Sequence, residues 1–549
     1  MSRPSSGGSG GDLLVSAAAL AVVLLALVRR EGTGASPALV AAMAGVGAAM
    51  AGVGAAAAVA VVVAAVIFAR RHSLVATHDR PEGPGWANRR DLLPLLVRQV
   101  PGDRIVVGSH GRRELVAAER RQSVLVVGPS QSGKTSGIAI PAICAWDGPV
   151  LATSVKADLL EHTLEQRRRR GRVAVYDPAG SSRAARSETE GWSPLVVSGT
   201  WPGARRMASA MCSVAEADHS MEDAGFWYAA AEKLLAPLLF AAASSGGSIS
   251  DVVRWIDDQE LGEPLLALEL AAVPDAVRAA RTSFSREDRQ RSSVFSTAEA
   301  VVAGFADPAV ASSAEHATLD PRALVTAGPR RLSTLYCCAP ARGQERLRPL
   351  FTALVREVLD AAFAESAKLG GPLEPGLLVV LDEAANVAPL AELDGIAATA
   401  AGHGIALLTV WQDMAQIEAR YARRWSTIVN NHRGKVICAG SSDALTLEHV
   451  ELLMGEQEGV EVSTTMGRDS VRSRTESPSR RRLAAPGSLR RLPRGEAVLL
   501  YGTLPPARVR LPAPEPERRL SRPSTRFSHP GRFQRPRLLH PGWARKRRG

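Results

Sequence analysis

One eight-residue motif constrains this chain more than any other feature of its sequence. Residues 128–135 read GPSQSGKT, a full match to the pattern GxxxxGK[ST]. The run SVLVV at 123–127 is typical of a buried strand, and residues 136–145 can continue as a helix. In such a strand–loop–helix unit, glycines let backbone N–H groups turn toward phosphate oxygens, and the helix start adds positive potential. The alternative, a chance match in a glycine- and serine-rich loop, does not account for the flanking strand and helix. The motif therefore predicts a phosphate-binding loop in an α/β fold.

The motif also assigns roles to single residues. The predicted nucleotide-binding residues are Gly128, Pro129, Ser130, Gln131, Ser132, Gly133, Lys134 and Thr135. Lys134 is expected to reach the β- and γ-phosphates of ATP and to take part in catalysis, and the hydroxyl of Thr135 is expected to bind Mg²⁺. ATP and Mg²⁺ are therefore the expected cofactors.

A second carboxylate site follows an apolar strand further along the chain. Residues 377–381 read LLVVL, as in a strand buried in a parallel sheet, and they end in Asp382 and Glu383. We expect Asp382 to hold Mg²⁺ through water and Glu383 to polarise the attacking water. The alternative is that this acidic pair only begins a helix.

A third apolar strand supplies a candidate for sensing the γ-phosphate. Residues 405–410 read IALLTV and are followed by Gln412. A glutamine at the end of the strand beside the carboxylate strand is placed to contact the terminal phosphate, so Gln412 is predicted to be catalytic. Capping of the next helix is the alternative role.

Two apolar runs precede the soluble part of the chain. Residues 13–28 and 35–69 carry no charge, which predicts transmembrane helices at about 13–30 and 46–69. The favoured topology is a helical hairpin in the cell membrane, with the rest of the chain in the cytoplasm because ATP is cytosolic. A cleaved signal peptide is the alternative for residues 13–28. The duplicated MAGVGAA at 43–56 fits close helix packing in lipid or low-complexity drift equally well.

The basic charge is concentrated at the end of the chain. The formal net charge is +12, and residues 518–549 hold eleven Lys or Arg and no acid, which leaves the other 517 residues near +1. Such a tail fits DNA, RNA and anionic lipid alike. From residue 201 to residue 327 the apolar residues follow helical spacing, with few strand-like runs. The predicted parts are a membrane anchor at 1–72, a P-loop motor domain at 73–200 and 328–502, an all-α insertion at 201–327, and a basic disordered tail at 503–549.

The order of these motifs resembles the type IV secretion coupling proteins, the TraD/TraG-like conjugative ATPases with RecA-like motor domains. The resemblance covers about residues 120–502. The matching stretches are GPSQSGKT (128–135), ATSVKADLLEHT (152–163), VAVYDPAG (173–180), WSPL (192–195), FWYAAAEKLLAPLLF (226–240), LLVVLDEAANVAPL (377–390), GIALLTVWQDMAQI (404–417) and NNHRGKVICAG (430–440).

The resemblance implies an α/β RecA-like P-loop domain with an all-α insertion, preceded by two transmembrane helices. It also implies a homohexameric inner-membrane motor that receives a relaxase–DNA complex and pumps single-stranded DNA toward a secretion channel. In that family the helical insertion recognises substrate or accessory factors. Members often carry a basic residue before the strand that here begins at Ile405, whereas this chain has His403 after two alanines and a glycine. Either His403 or an arginine elsewhere in the chain would then act on the neighbouring subunit, or such activation between subunits is weak. Arg433 is a second candidate, and an ordinary surface arginine is its alternative reading.

Two other functions remain compatible with the same residues. A coupling ATPase that delivers protein effectors would have the same motor, because the phosphoryl chemistry does not depend on the cargo. A membrane receptor that binds ATP without hydrolysing it is the non-enzymatic alternative, and the combination of Asp382, Glu383 and Gln412 argues against it. A small-molecule kinase fits poorly with two membrane helices, a helical insertion and a basic tail.

Overall fold

The computed structural model describes most of the chain after residue 84. The described residues are 85–111, 114–155, 158–182, 185–215, 224–326, 328, 331–340, 342–466, 472–484 and 486–512. The predicted transmembrane helices at about 13–30 and 46–69 lie outside these residues, as does the chain from residue 513 onward.

The strands are mostly short apolar runs. They are β1 (Leu96–Val97), β2 (Val106–His110), β3 (Glu114–Ala117), β4 (Val124–Val127), β5 (Val150–Ser154), β6 (Val173–Tyr176), β7 (Thr334–Cys338), β8 (Leu377–Leu381), β9 (Ile405–Trp411), β10 (Gly434–Cys438), β11 (Glu456–Met466), β12 (Arg472–Arg482), β13 (Glu496–Tyr501) and β14 (Ala507–Arg510). Every residue of β4, β5, β8 and β9 is buried. Such continuous runs of Val, Leu and Ile are expected where helices cover both faces of a parallel sheet.

The helices lie between and around these strands. They are α1 (Thr135–Ala145), α2 (Asp158–Arg168), α3 (Leu195–Ser198), α4 (Trp201–Cys212), α5 (Ala224–Ser245), α6 (Ile249–Asp257), α7 (Gly262–Leu270), α8 (Pro274–Phe284), α9 (Asp288–Val302), α10 (Pro308–Glu315), α11 (Gln344–Leu369), α12 (Leu393–Thr399), α13 (Met414–Tyr421), α14 (Trp425–Asn431), α15 (Ala444–Met454) and α16 (Pro486–Arg490). Single 3₁₀ turns add Ser213–Ala215, Ala303–Ala306, Pro321–Leu324, Ala400–His403 and Ala422–Arg424.

Twelve strands form one mixed sheet in the order β1-β3-β2-β14-β13-β10-β4-β9-β8-β5-β7-β6. The seven strands from β10 to β6 are parallel. The remaining five pair antiparallel on the β10 side. The P-loop strand β4 therefore lies inside the parallel part, next to β9 and close to β8.

The sheet separates two apolar cores. Alternate residues of β4 belong to opposite cores, with Leu125 and Val127 on one face and Val124 and Val126 on the other. The first core continues into α4, α5 and α11, and the second is covered by α1 and α2. A strand with an apolar side chain at every position is stable here because neither face meets water.

The described part of residues 201–326 forms the helices α4 to α10, three 3₁₀ turns and the short connections between them. Their starts carry ordinary N-caps: the Thr200 hydroxyl accepts from the Gly203 amide, and Ser248 and Asp251 form a capping box. The chain leaves the sheet at β6 and returns to it at β7, which pairs with β6 and β5. The helical region is therefore an insertion between β6 and β7 in the sequence, and the two strands still pair with each other in the sheet.

One helix of the described region, Gly225–Ser245, is long and apolar enough to cross a membrane. More than half of it is buried inside the protein, where it packs against α4, α7, α8 and α9. A bent pair, Asp288–Ala306 with Pro308–Glu315, would count as a second such segment if it were one span. A core helix of a soluble domain is buried in the same way. The length and apolar composition of Gly225–Ser245 are therefore weak evidence for a membrane span.

Three strands, β11, β12 and β14, were not expected from the sequence. β11 and β12 form a separate two-stranded antiparallel hairpin. β14 pairs with β13 and β2 in the large sheet, although the sequence predicts a disordered tail from residue 503. That boundary is wrong, since Ala507 and Val509 are each only 1% exposed. Both hairpins are stabilised by pairing between segments, which the local sequence does not reveal.

Candidate nucleotide-binding site

The P-loop follows β4 at the carboxyl end of the parallel strands, where the nearby strands β9 and β8 also end. β4 pairs in parallel with β9, and β9 pairs in parallel with β8. Because parallel strands end at the same edge, the residues that follow these strands, including Gln412 and Asp382, share that edge with the P-loop. The amide of Gly128 donates to the carbonyl of Trp411 at 3.2 Å. The topology thus gathers three separate predicted site segments.

The backbone conformation of the P-loop explains why certain positions in it require glycine. A Cβ on Gly128 would lie 2.6 Å from the Cβ of Cys438, so no side chain fits there. Gln131 and Gly133 have φ of 63° and 92°, and the second value favours glycine. The helix then begins with a π-helical turn, Thr135–Ala139. The motif spacing is therefore a requirement of this backbone path.

The ammonium of Lys134 lies within the curve of the loop. It donates to the carbonyls of Gly128 and Pro129, the second at 2.7 Å. Burial lowers the pKa of Lys134, while nearby carboxylates act in the opposite direction. Ser130 is exposed at the tip of the loop and Ser132 is buried. The loop thus presents one cation and a set of backbone N–H groups, the combination that binds a polyphosphate.

Thr135 and Asp382 are in direct contact. The Thr135 hydroxyl donates to the Asp382 carboxylate, 3.1 Å from Oδ2. These oxygens are of the type that Mg²⁺ prefers. No group of three or more His, Cys, Asp or Glu residues forms a metal cage in the described part of the chain. The pair nevertheless fits Mg²⁺, which binds few protein ligands and keeps phosphate and water as the others.

Asp382 is an unusual carboxyl because it is only 7% exposed. Burial raises the pKa of Asp382 to about 6, and the hydrogen bond from Thr135 opposes this rise. The adjacent Glu383 carboxylate raises the pKa further, while the Lys134 ammonium lowers it. A divalent cation between Thr135 and Asp382 would favour the ionised form for the same electrostatic reason.

Glu383 follows at the turn that leaves β8. Its φ of 53° is left-handed, which is uncommon for a residue with a side chain. The Asn386 side-chain amide donates to Glu383 Oε2 at 3.2 Å. The amide of Ala384 donates to the carbonyl of Val410 in β9, also at 3.2 Å. The turn therefore holds Glu383 next to Asp382 in a conformation that its neighbours impose.

Two arginines fix this turn from neighbouring helices. Arg348 Nε, on α11, donates to the carbonyl of Asn386 at 3.1 Å. Arg420 Nη2, on α13, donates to the carbonyl of Ala385, also at 3.1 Å. Neither arginine was singled out from the sequence. No local pattern marks them, because each contact joins residues more than thirty positions apart.

Gln412 lies at the predicted place, at the carboxyl end of β9. Its side chain is exposed at the carboxyl end of this strand. The N-cap of α13 is Asp413, whose carboxylate accepts from the amide of Gln416 at 2.7 Å. The helix therefore does not need Gln412 as its cap, and the amide side chain is available for other contacts.

Arg433 and His403 were predicted to act on a neighbouring subunit. Both lie at the amino ends of their strands, opposite the carboxyl ends where the P-loop lies. Arg433 precedes β10; its Nε donates to Glu119 Oε2 at 2.7 Å, and its guanidinium lies over the Tyr501 ring. His403 precedes β9, and its Nδ1 lies 3.0 Å from the Ser366 hydroxyl. Both are therefore remote from the P-loop of their own chain. Their action on a neighbouring subunit stays a prediction.

A family model decides the relationship of this chain to known proteins. The model for type IV secretory system conjugative DNA transfer matches residues 96–513, about three quarters of the sequence. The chain belongs to this family. The family predicted from the motifs is thus confirmed.

Similar family proteins include the conjugal transfer protein TraG of Escherichia coli. One TraG is 25% identical over 403 residues, which cover 68% of this chain and 62% of TraG. A second TraG is 24% identical over 459 residues, or 74% of this chain and 70% of that protein. The chain therefore spans less than two thirds of the first of these relatives.

Among solved structures, the conjugative coupling protein TrwB has the same fold. Unbound TrwB aligns with a TM-score of 0.60 at 19% identity, over 79% of this chain and 95% of TrwB. TrwB in complex with ADP and Mg²⁺ aligns with a TM-score of 0.57 at 19% identity, over 79% of this chain and 94% of TrwB. At this identity the similarity shows the fold alone, and it confirms the predicted mixed α/β, RecA-like class.

Proposed function

We propose that this family member is a membrane-anchored, ATP-driven coupling protein that recruits DNA and moves it into a conjugative secretion channel. The contact of Thr135 with Asp382, inside a P-loop and beside Glu383, carries this proposal. DNA is the proposed cargo because the matching family is described by conjugative DNA transfer.

Nucleotide binding follows from the geometry of the loop. The N–H groups of the P-loop would hold the phosphate oxygens, and Lys134 would exchange its carbonyl partners for the β- and γ-phosphates. Thr135 and Asp382 would hold Mg²⁺, which neutralises charge on the phosphates when bound. ATP and Mg²⁺ are accordingly the proposed cofactors, as TrwB complexes with ADP, ADPNP and Mg²⁺ also favour.

Hydrolysis needs a base and a means of orienting water. Glu383 lies next to the proposed Mg²⁺ ligand Asp382 and would accept a proton from the attacking water. Gln412 extends from the adjacent strand at the same edge and would contact the γ-phosphate. This arrangement favours a hydrolase over a receptor that only binds ATP.

The remaining organisation is proposed from the sequence and the family. Residues 1–72 would anchor the chain in the cell membrane by two helices, and the motor domain would lie in the cytoplasm. The motor would comprise residues 73–200 and 328–512, with the helical region 201–327 inserted and a basic tail from residue 513. Partners would be DNA with its relaxase, the components of the secretion channel, and five further copies of the chain in a hexamer.

The test is ATP hydrolysis by the full chain in detergent, with and without single-stranded DNA. We expect several-fold stimulation by DNA, and loss of at least about a hundredfold in kcat for Glu383→Gln with ATP binding retained. Lys134→Ala should lose ATP binding as well. Glu299→Gln, an exposed acid on α9, is the matched control and should behave as wild type.

Each other outcome points to a different function. Hydrolysis that DNA leaves unchanged would support delivery of protein effectors. ATP binding without hydrolysis in the assembled wild-type protein would support a receptor. Equal rates for wild type and Glu383→Gln would show that another residue is the base.

A further inference from the structure

A solvent-exposed groove lies between α7 and α8 of the helical region, and we call it the α7–α8 groove. Its volume is about 650 Å³. The lining positions on α8 follow a helical repeat, so one whole face of this helix borders the groove. The lining residues are Glu269, Ala272, Val273, Pro274, Val277, Arg278, Arg281, Thr282 and Ser285. None of them belongs to the nucleotide-binding site, which makes the groove a separate feature of the insertion.

The apolar lining of the groove continues along α7. Leu266 and Leu270 are 59% and 78% exposed, although both are large apolar residues. Leu266 lies three residues before Glu269 and four before Leu270. Residues at these spacings are neighbours on a helix surface, so the two leucines lie on the same side of α7 as a lining residue of the groove. Apolar side chains grouped and exposed in this way are typical of a surface that binds another molecule.

Two exposed arginines lie along the groove. Arg278 pairs with Asp275 at 3.5 Å, and Arg281 donates to Glu269 at 2.7 Å. Exposed ion pairs of this kind contribute little free energy, so both arginines can exchange their partners for carboxylates from another molecule. The lining residues include these two arginines and one acid, Glu269. The groove therefore favours an acidic ligand.

The structure of the groove selects one mode of recognition. A strand-like segment adds to a sheet edge, and a proline-rich segment docks on aromatic side chains. The lining residues all lie on helices or on the turns at their ends, and none of them is aromatic. Single-stranded nucleic acid would also need stacking side chains and a larger excess of positive charge. A third helix, by contrast, packs its apolar face into the groove between two others.

We infer that the α7–α8 groove binds an acidic amphipathic helix of a partner protein. Apolar side chains of that helix cover Leu266 and Leu270, and its carboxylates pair with Arg278 and Arg281. The end of this chain does not have the required charge, because residues 518–549 contain no acid. Binding at the groove does not require ATP hydrolysis, so the inference goes beyond the proposed motor function.

The test uses a fluorescein-labelled, alanine-based peptide of about 18 residues, with leucines at helical spacing and glutamates beside them. Fluorescence anisotropy measures its binding to the full chain in nanodiscs, with empty nanodiscs as the blank. We expect a micromolar Kd, and at least about tenfold weaker binding of a peptide with lysines in place of the glutamates. Arg278→Glu should weaken binding of the glutamate peptide about tenfold and strengthen binding of the lysine peptide. Arg205→Glu is the matched control, because Arg205 is an exposed arginine of α4 that does not line the groove.

A second variant tests the apolar contact. Leu270→Ser should weaken binding of the glutamate peptide about fivefold. Leu452→Ser, which removes an equally exposed leucine from α15, should leave it unchanged. Thermal melting shows that each variant is folded.

Four results would overturn the inference. They are no binding of the glutamate peptide to wild type up to about 1 mM, equal affinity of wild type for the two peptides, and unchanged affinity in either Arg278→Glu or Leu270→Ser. The fourth is tighter binding of a single-stranded oligonucleotide that Arg278→Glu abolishes, which would assign the groove to nucleic acid instead.

Discussion

At the scale of single residues, ionisation of the buried Asp382 carboxyl has a free-energy cost that Thr135 and Lys134 offset only in part. This carboxyl is buried against Thr135, and burial raises its pKa to about 6. At neutral pH the fold must therefore hold an ionised carboxylate in a site that disfavours charge. A bound Mg²⁺ would offset the rest of this cost, and ligand binding would then be coupled to stability at this residue.

This coupling has a defined pH dependence. Between the ordinary carboxyl pKa of 3.8 and about 6, the native protein keeps a proton that the unfolded chain has lost. The free energy of unfolding therefore falls as pH rises through this window, by up to about 3 kcal/mol. Asp382→Asn removes the effect. In buffer with EDTA, the melting temperature of the variant should exceed that of wild type by a margin that grows from about pH 4 to about pH 6 and is nearly constant above about pH 7.

A margin that stays constant from about pH 4 to about pH 6 would contradict the raised pKa of Asp382. Addition of Mg²⁺ and ATP provides the control, because it should stabilise wild type and leave Asp382→Asn nearly unchanged.

Residues that the local backbone conformation or a motif requires were predictable from the sequence. Residues that contact the site through tertiary packing were not. The glycines at 128 and 133 are required by local backbone geometry, so the motif alone located them. Arg348 and Arg420 contact the site from segments distant in sequence, and their neighbours carry no pattern that sets them apart. The roles of Glu383 and Gln412 stay predictions until hydrolysis is measured.

At the scale of elements, α11 supports the turn that carries Glu383. Arg348 bonds the carbonyl of Asn386, and Asn386 bonds the side chain of Glu383. Loss of this support should let Glu383 leave its left-handed conformation. We therefore expect Arg348→Ala to lower kcat about tenfold and to change KM for ATP less than twofold, because phosphate binding lies elsewhere.

Arg346→Ala is the matched control for that experiment, since Arg346 lies on the same helix and is exposed. Steady-state ATP hydrolysis by the two variants gives the comparison. A rise in KM without a fall in kcat would mean that α11 supports nucleotide binding instead of the turn.

Some strands could be predicted from the sequence and others could not. The parallel strands were readable because burial on both faces requires unbroken apolar runs such as LLVVL and IALLTV. β14 was missed because its sequence, ARVR, has only four residues, too few for a clear alternating pattern, and it depends on β13 as a partner. β11 and β12 were missed for a related reason, since their sequences are rich in Ser, Thr, Glu and Arg.

At the scale of the whole molecule, β14 links the two ends of the described chain. It pairs with β13 on one side and with β2, near the start of the described chain, on the other. A chain ending at residue 512 should therefore fold like the full chain. A chain ending at residue 502 should be largely insoluble, because it exposes β13 and leaves the pocket for Val509 empty.

The soluble fraction and melting temperature of the two truncations test this expectation. Equal stability of both chains would mean that β14 adds nothing to the sheet. Since both truncations lack the basic tail, any difference between them belongs to residues 503–512 alone.

The position of β4 in the sheet also governs how the protein is made. Both neighbours of this apolar strand, β9 and β10, begin only at residues 405 and 434, whereas β4 ends at residue 127. A ribosome adding about 5–20 residues per second needs roughly 15 to 55 s to bridge that gap. During that time the edges of β4 have no partner strand, so the nascent chain is exposed to aggregation. Production in cells should therefore depend on chaperones that bind the unfinished motor domain.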